Sequence, residues 1–439
     1  MAPVGKTRSV SLILFVLVAG LLVQGCDLLF PGRDETMQAD VVRSDKERVT
    51  SPDVDQAELD ELVAGNSGFG FDLFQELRNS DGNLFYSPYS ISIALAIAFA
   101  GARGDTETQM EDVLYFSLGQ ERLHPTFNAL DLKLASRNEL PEGWEGEGFA
   151  LNIANSTWGQ TGHSFLSGFL DVLAEDYGAG LRLLDFMSAP EAARNMINDW
   201  VSDETEGKIE DLLPPGSVDS ATRLVLANAI YFNAPWQYPF EEEATHDSTF
   251  TLLGGSEVTV PMMEQEQLLA YAEGEDYQAV ELPYNGRQLS MLILLPQVDS
   301  FHNFEESLTS EQFTSIVTSL ETRNVHLKMP KFTYELDFSL KDTLSGMGMV
   351  DAFQLGVADF SGMDGTRFLF IGDVVHKAFV SVDEAGTEAA AATAVIMPTI
   401  GPPTSPVVIT IDHPFFFAIR DIETQAILFL GRVLNPNQS

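Results

Sequence analysis

The residues whose types and spacing could do chemistry fall in one stretch near the C-terminus. Gly386 precedes an alternating set, Thr387, Ala389, Ala391 and Thr393, in which every member is small. No proline interrupts residues 384–397, so each backbone N–H there is free to join a ladder. Two structures suit that composition. One is a helix, with Thr387 as N-cap ahead of an alanine run. The other is a strand able to slide between two existing strands, where every second side chain is buried and a bulky or charged one would clash or lose its water. The β-branched pair Val395-Ile396 and the prolines that follow it count against a long helix.

Catalytic signatures are missing from the sequence. There is no Gly-x-Ser-x-Gly, no His-Glu-x-x-His, no phosphate-binding loop and no dinucleotide glycine pattern. The seven histidines (His124, His163, His246, His302, His326, His376 and His413) are scattered without metal-ligand spacing. Cys26 is the only cysteine, which excludes an internal disulfide, a thiolate zinc site and a redox pair. No cofactor is implied.

The elements that must position this stretch can be read from periodicity. Phe69, Phe71, Leu73, Phe74 and Leu77 give one apolar face at helical spacing. Ser87-Pro88-Tyr89-Ser90 opens a run from Ile91 to Ala102 that is apolar nearly all round, which predicts a buried helix with Ser and Pro at its start. Strands are expected at 224–232, 279–282, 289–295, 325–330, 379–382, 407–411, 415–420 and 427–433. Pro283-Tyr284-Asn285-Gly286 is a hairpin turn between two of them. Helices come mostly early and strands mostly late, so the fold class is α+β.

With 65 acidic against 24 basic residues the chain carries a net charge of −41. Nucleic acid and heparin-like sulfated polysaccharides are therefore excluded as partners, because no basic face is available to displace counterions. An acid-rich, lysine-poor surface suits solubility in high salt and equally suits an acidic secreted protein.

At the N-terminus, Lys6 and Arg8 precede the 14-residue apolar run 10–23, too short to span a bilayer and matching a secretory signal. Val23-Gln24-Gly25-Cys26 resembles the bacterial lipobox, which implies cleavage after residue 25 and a diacylglycerol on Cys26. Export follows, with the protein lipid-anchored at a bacterial cell envelope, or extracellular if no lipid is attached. Residues 26–56 are polar and without apolar periodicity, reading as a flexible acidic spacer. From 57 to 439 no linker or repeat interrupts the chain.

Local phrases across that body resemble the serpin family in order and spacing. They are Asn83-Leu84-Phe85-Tyr86-Ser87-Pro88-Tyr89-Ser90-Ile91-Ser92, then Asn228-Ala229-Ile230-Tyr231-Phe232 with Trp236 and Phe240, and Met329-Pro330-Lys331-Phe332. Val382-Asp383-Glu384-Ala385-Gly386-Thr387 with the alanine run, and His413-Pro414-Phe415-Phe416-Phe417 with Gly431-Arg432-Val433, complete the resemblance. It implies three β-sheets, about nine helices, a monomer, and an exposed reactive-centre loop at about 384–406. The implied activity is inhibition of serine endopeptidases, and secondarily cysteine ones, by a suicide-substrate route: the loop is cut, the acyl-enzyme is trapped, and the loop enters the large sheet. A non-inhibitory serpin, acting as chaperone or binding protein, is the alternative.

By the same resemblance the hinge is Glu384, Gly386, Thr387, Ala389, Ala391 and Thr393, with Gly386 supplying the bend. Counting on from Gly386 puts the reactive bond at Ile400–Gly401, and Ile400 suits elastase-like or subtilisin-like proteases. Ser87, Ser90, Asn228 and His376 match a buried cluster under the centre of the sheet, while Trp236 and Glu384 match the place where insertion starts.

Overall fold

The structure, a computed structural model, describes residues 39–138, 150–387 and 405–438. Among them, helices α1 (Gln56–Leu77), α2 (Pro88–Phe99), α3 (Gly104–Leu114), α4 (Gly119–Ala135), α5 (Ser167–Tyr177) and α6 (Pro190–Glu204) precede four shorter helices between Phe301 and Asp364. The first strands are β1 (Asp40–Val42), β2 (Leu84–Tyr86), β3 (Ala150–Gln160), β4 (Leu181–Leu184), β5 (Leu224–Pro235), β6 (His246–Thr251), β7 (Glu257–Glu273) and β8 (Tyr277–Pro283). Then come β9 (Leu289–Pro296), β10 (Glu321–Pro330), β11 (Phe332–Ser339), β12 (Ile371–Val382), β13 (Gly386–Thr387), β14 (Val407–Thr410), β15 (Phe415–Asp421) and β16 (Ile427–Val433).

The local chemistry explains the main elements. Ser87 caps α2 by accepting the Ser90 N–H, with Pro88 in the first turn, and all twelve helix residues are buried, as an all-round apolar run requires. An Asp55–Glu58 capping box starts α1. The turn after Pro283 is made with Gly286 and Arg287 at positive φ, which lets β8 and β9 pair as a hairpin.

Seven strands form one sheet in the order β1-β4-β3-β5-β13-β12-β11. Residues 224–231 of β5 pair in parallel with residues 371–379 of β12, so the two strands touch along most of their length. Only at the far end of β5 does β13 lie between them. The other nine strands form one network, because the seventeen-residue β7 pairs with β6, β10 and β8 in turn and joins the expected second and third sheets.

Both faces of β5 are covered. Leu224, Leu226, Ile230, Phe232 and Ala234 face the main core with α1 and α2. Val225, Ala227 and Ala229 face a second core closed by Ala193, Ile197 and Val201 of α6. A strand buried on both sides needs a nearly continuous apolar run, which residues 224–232 supply with Asn228 as the one polar interruption.

One expectation is corrected. Residues 40–54, read as part of a flexible spacer, are ordered on the body: Asp40–Val42 adds a strand to the edge of the sheet, and Ser44, Lys46 and Arg48 bond to α5 and α4. The misreading has a physical cause. The segment docks through backbone pairing and charge, which leave no apolar periodicity. Cys26 lies outside the described residues.

Candidate functional site

Two polar constructions lie along the seam between β5 and β12. The first is at the head of the sheet. After β12 the chain turns through Asp383, whose carboxylate accepts the N–H groups of Ala385 (2.9 Å) and Gly386 (3.2 Å). Gly386 and Thr387 then pair with Pro235 and Ala234 of β5, and Thr387 also pairs with Val382 of β12. Gly386, expected to supply the bend, is therefore already a paired strand residue; the bend is made ahead of it, around the Asp383 side chain three residues earlier.

Trp236 fixes this turn from both ends of its residue. Its backbone N–H donates to the Ala385 carbonyl (2.9 Å) and its indole N–H to the Asp383 carbonyl (3.0 Å). Its ring stacks on Tyr284 at 4.6 Å between centroids. The Tyr284 hydroxyl in turn bonds the Thr387 hydroxyl (2.7 Å), and Thr387 is only 1% exposed. Burial drives the Tyr284 pKa far up, so this hydroxyl stays protonated. Glu384 takes the Lys331 ammonium (2.5 Å) on one oxygen and the Thr245 hydroxyl (2.7 Å) on the other. Burial acts to raise its pKa, but these two partners outweigh it and hold the carboxyl below its usual value.

The second construction is the buried cluster midway down the seam. The Ser87 N–H donates to His376 Nε2 (3.1 Å). Since an amide can only donate, that nitrogen is unprotonated, and Nδ1–H donates to the Asn228 amide oxygen. The Asn228 amide nitrogen donates to Ser90 Oγ and Asn155 Oδ1. Burial pushes the His376 pKa down to about 3, so the ring is neutral wherever the fold persists. Asn228 and His376 are direct partners in the parallel ladder, so the cluster bridges β5 and β12.

The predicted residues thus sort into two groups. Trp236, Glu384, Gly386 and Thr387 gather at the head; Ser87, Ser90, Asn228 and His376 gather about six residues lower, roughly 20 Å along the strand. Ala389, Ala391, Thr393, Ile400 and Gly401 lie outside the described residues. Sequence reasoning missed Asn155, Asp383, Tyr284, Lys331 and Thr245. Tyr284 was read only as a turn residue and Lys331 only as part of a motif; for Asn155 the one signal is its antiparallel register with Asn228.

The family model for serpins (serine protease inhibitors) matches residues 64–436. An uncharacterised serpin-like protein of Thermococcus kodakarensis is 41% identical over 85% of this chain and 86% of its own length. Human leukocyte elastase inhibitor is 40% identical over 86% of this chain and all of its own. The native crystal structure of tengpin, a thermophilic serpin, superposes with a TM-score of 0.78 at 30% identity, covering 91% of this chain and all of tengpin. With the family model matched over residues 64–436 and relatives at about 40% identity over most of their length, the chain belongs to the serpin family.

Proposed function

We propose that this serpin inhibits serine endopeptidases as a suicide substrate, and that the two residues of β13 are the start of the insertion track. That wedge is the observation that carries the reading. Continuing its register one residue at a time sets Ala389 between Phe232 and Val380, Ala391 between Ile230 and Ala378, and Thr393 between Asn228 and His376. All three side chains would face the main core, as Thr387 does, and all three are small enough to enter it.

Strand addition of this kind is the recognised behaviour of serpin loops. In this chain it would exchange one parallel ladder between β5 and β12 for two antiparallel ones. At about 1 kcal/mol net per bond, the gain is on the order of ten kcal/mol. The trap closes when insertion outruns hydrolysis of the acyl-enzyme formed at the reactive bond, placed at Ile400–Gly401. An apolar β-branched residue there favours elastase-like or subtilisin-like targets, and the relation to leukocyte elastase inhibitors supports that class. Export and lipid attachment at Cys26 would hold the inhibitor at a bacterial cell envelope.

Incubation with an elastase-like and a subtilisin-like protease tests the reading. It predicts an SDS-stable covalent complex, with the released peptide giving the cut bond by mass spectrometry. Cleavage without complex and without a gain in heat resistance would instead make the chain a non-inhibitory serpin.

A further inference from the structure

A cavity of about 690 Å³ lies where the chain leaving α2 meets the first turns of α4 and α5. One wall is apolar, made by Leu166 just ahead of α5 and by Phe169 and Val172 within it. Leu166 is 44% exposed, so part of that wall faces water. Gly168 lines the cavity too, and a Cβ placed on it would meet nothing within 4 Å.

The polar side is Arg103, and its guanidinium is held in place. Nη1 donates to the carbonyls of Ala100 and Ala102, and the group lies so close to Gly362 that a Cβ there would stand 2.6 Å from Arg103 Cζ. Nε and Nη2 have no acceptor among the described residues, and no described carboxylate pairs with the group. Asp359, whose carbonyl accepts the Arg103 backbone N–H, gives its carboxylate to Arg367 instead. In a chain of 65 acidic and 24 basic residues, a fixed guanidinium without a carboxylate stands out. Its Nε and Nη2 form the edge that donates two parallel bonds to a carboxylate.

The neighbouring groups leave that charge uncompensated and add none of their own. Gln120 of α4 puts its amide nitrogen on the Phe99 carbonyl (2.7 Å), so its oxygen accepts from His124 Nε2 (3.2 Å). His124 Nδ1 then accepts from the Tyr177 hydroxyl (2.7 Å), which fixes a neutral tautomer in a ring that is 2% exposed. Arg103 is therefore the one positive charge among the lining residues, and Glu121, exposed on α4, the one negative. Glu121 would repel a second negative charge on anything bound beside it.

We propose that this cavity binds an amphipathic monocarboxylate, a small molecule with one carboxylate and an apolar body, of which a medium-chain fatty acid is the simplest case. The carboxylate takes the free edge of Arg103, and the apolar body lies along Leu166, Phe169 and Val172. The cavity has the volume of a small-molecule site, and its few polar groups on an apolar lining are the usual make-up of one. The site is independent of the insertion reading above. Isothermal titration of the full-length protein with decanoate tests it, with decyltrimethylammonium as the probe of equal tail and opposite charge, both below their micelle concentrations. On a molecule of net charge −41, an apolar chain held without a dedicated site prefers the cationic head.

Decanoate should bind saturably and at least about tenfold more tightly than the cation, the scale of one charge-assisted pair. Two variants locate it. Arg103→Met keeps the aliphatic stem and removes the charge, and should weaken decanoate by at least about tenfold. Gly168→Leu fills the open space without backbone strain, since Gly168 is not at positive φ, and should weaken it at least as much. Circular dichroism melting without ligand shows that each variant is folded, and either variant alone suffices for the test. No saturable decanoate binding, equal or tighter binding of the cation, or wild-type affinity in a folded variant overturns the proposal.

Discussion

Replacing Thr387 by arginine probes the insertion track at the one member of the alternating set whose burial is defined. The site is 1% exposed, flanked by Ala234 and Val382, with the Tyr284 hydroxyl as its polar neighbour. Glu384 is taken by Lys331 and Thr245, and Glu388, next in sequence, would point to the opposite face of an inserted strand. Position 387 already sits in this slot in the uncut chain, so a guanidinium there would be expelled and would have to re-enter for insertion, losing its water and finding no counter-charge at a cost of several kcal/mol. Taking about 3 kcal/mol as the part felt in the transition state, insertion slows about 150-fold while deacylation of the protease is untouched. Any wild-type preference for trapping of up to about a hundredfold is thereby reversed, and inhibitor becomes substrate.

The assay is the stoichiometry of inhibition, from titration of an elastase-like protease together with the ratio of covalent complex to cleaved serpin on a denaturing gel. Thr387→Ser, which keeps the hydroxyl for Tyr284, should behave as wild type. Thr387→Val should fall between, because it leaves the buried Tyr284 hydroxyl unpaired at about 1–3 kcal/mol. An arginine variant that still inhibits at wild-type stoichiometry would refute the reasoning, since trapping would then not require position 387 to enter the sheet.

Three further outcomes are expected. Burial holds His376 and His124 at about 3, the latter with Arg103 adding to the effect, so the native state is favoured above the ordinary histidine pKa and loses that advantage as pH falls from about 6.5 towards 3. His376→Gln should flatten the fall of melting temperature with acid over that window, and an unchanged slope contradicts the assignment. Burial, with Glu175 adding and Arg48 opposing, lifts Asp176 to about 6, a shift that favours the native state at low pH and is lost as pH rises through about 6. Asp176→Asn should therefore raise the melting temperature at about pH 8 and not at about pH 4, whereas a pH-independent change speaks against it. Arg432 pairs with Glu305 at 2.6 Å, both nearly inaccessible, and also donates to the carbonyls of Arg78, Ser80 and Gly82. Arg432→Met leaves Glu305 uncompensated and should cost about 3–5 kcal/mol in urea unfolding.

What could be read from sequence tracks how local the cause is. The buried helix α2, the apolar β5 and the β8–β9 hairpin follow from side-chain patterns within a dozen residues, and each formed where the pattern put it. Of the alternating set only Thr387 lies among the described residues, and it is buried at 1% exposure. Lys331 and Tyr284 were not legible, because each acts through a partner tens of residues away; Asp383 acts locally, on the N–H groups of Ala385 and Gly386, but belongs to no periodic set. The 40–54 segment failed most plainly: its order comes from charges on α4 and α5 that are adjacent only once the body has folded.

The chemistry of the seam follows from its two duties. An apolar pair in place of Asn228 and His376 would close β5 on β12 by burial alone, and separating it would expose that surface with nothing to replace it. The polar pair closes the seam just as fully, because every partner named above is satisfied, with the ring neutral and its tautomer fixed by the Ser87 amide. Yet it can exchange its bonds for others. The register that begins at Thr387 brings Thr393 to this level, and a threonine hydroxyl can both donate and accept. Insertion would then swap one satisfied arrangement for another at the level where side chains bridge β5 and β12. Thr393→Val tests that exchange: it keeps the shape and removes the hydroxyl, so the inserted form should lose heat resistance while the uncut protein keeps its own. Equal losses in both states would mean that Thr393 never reaches Asn228 and His376.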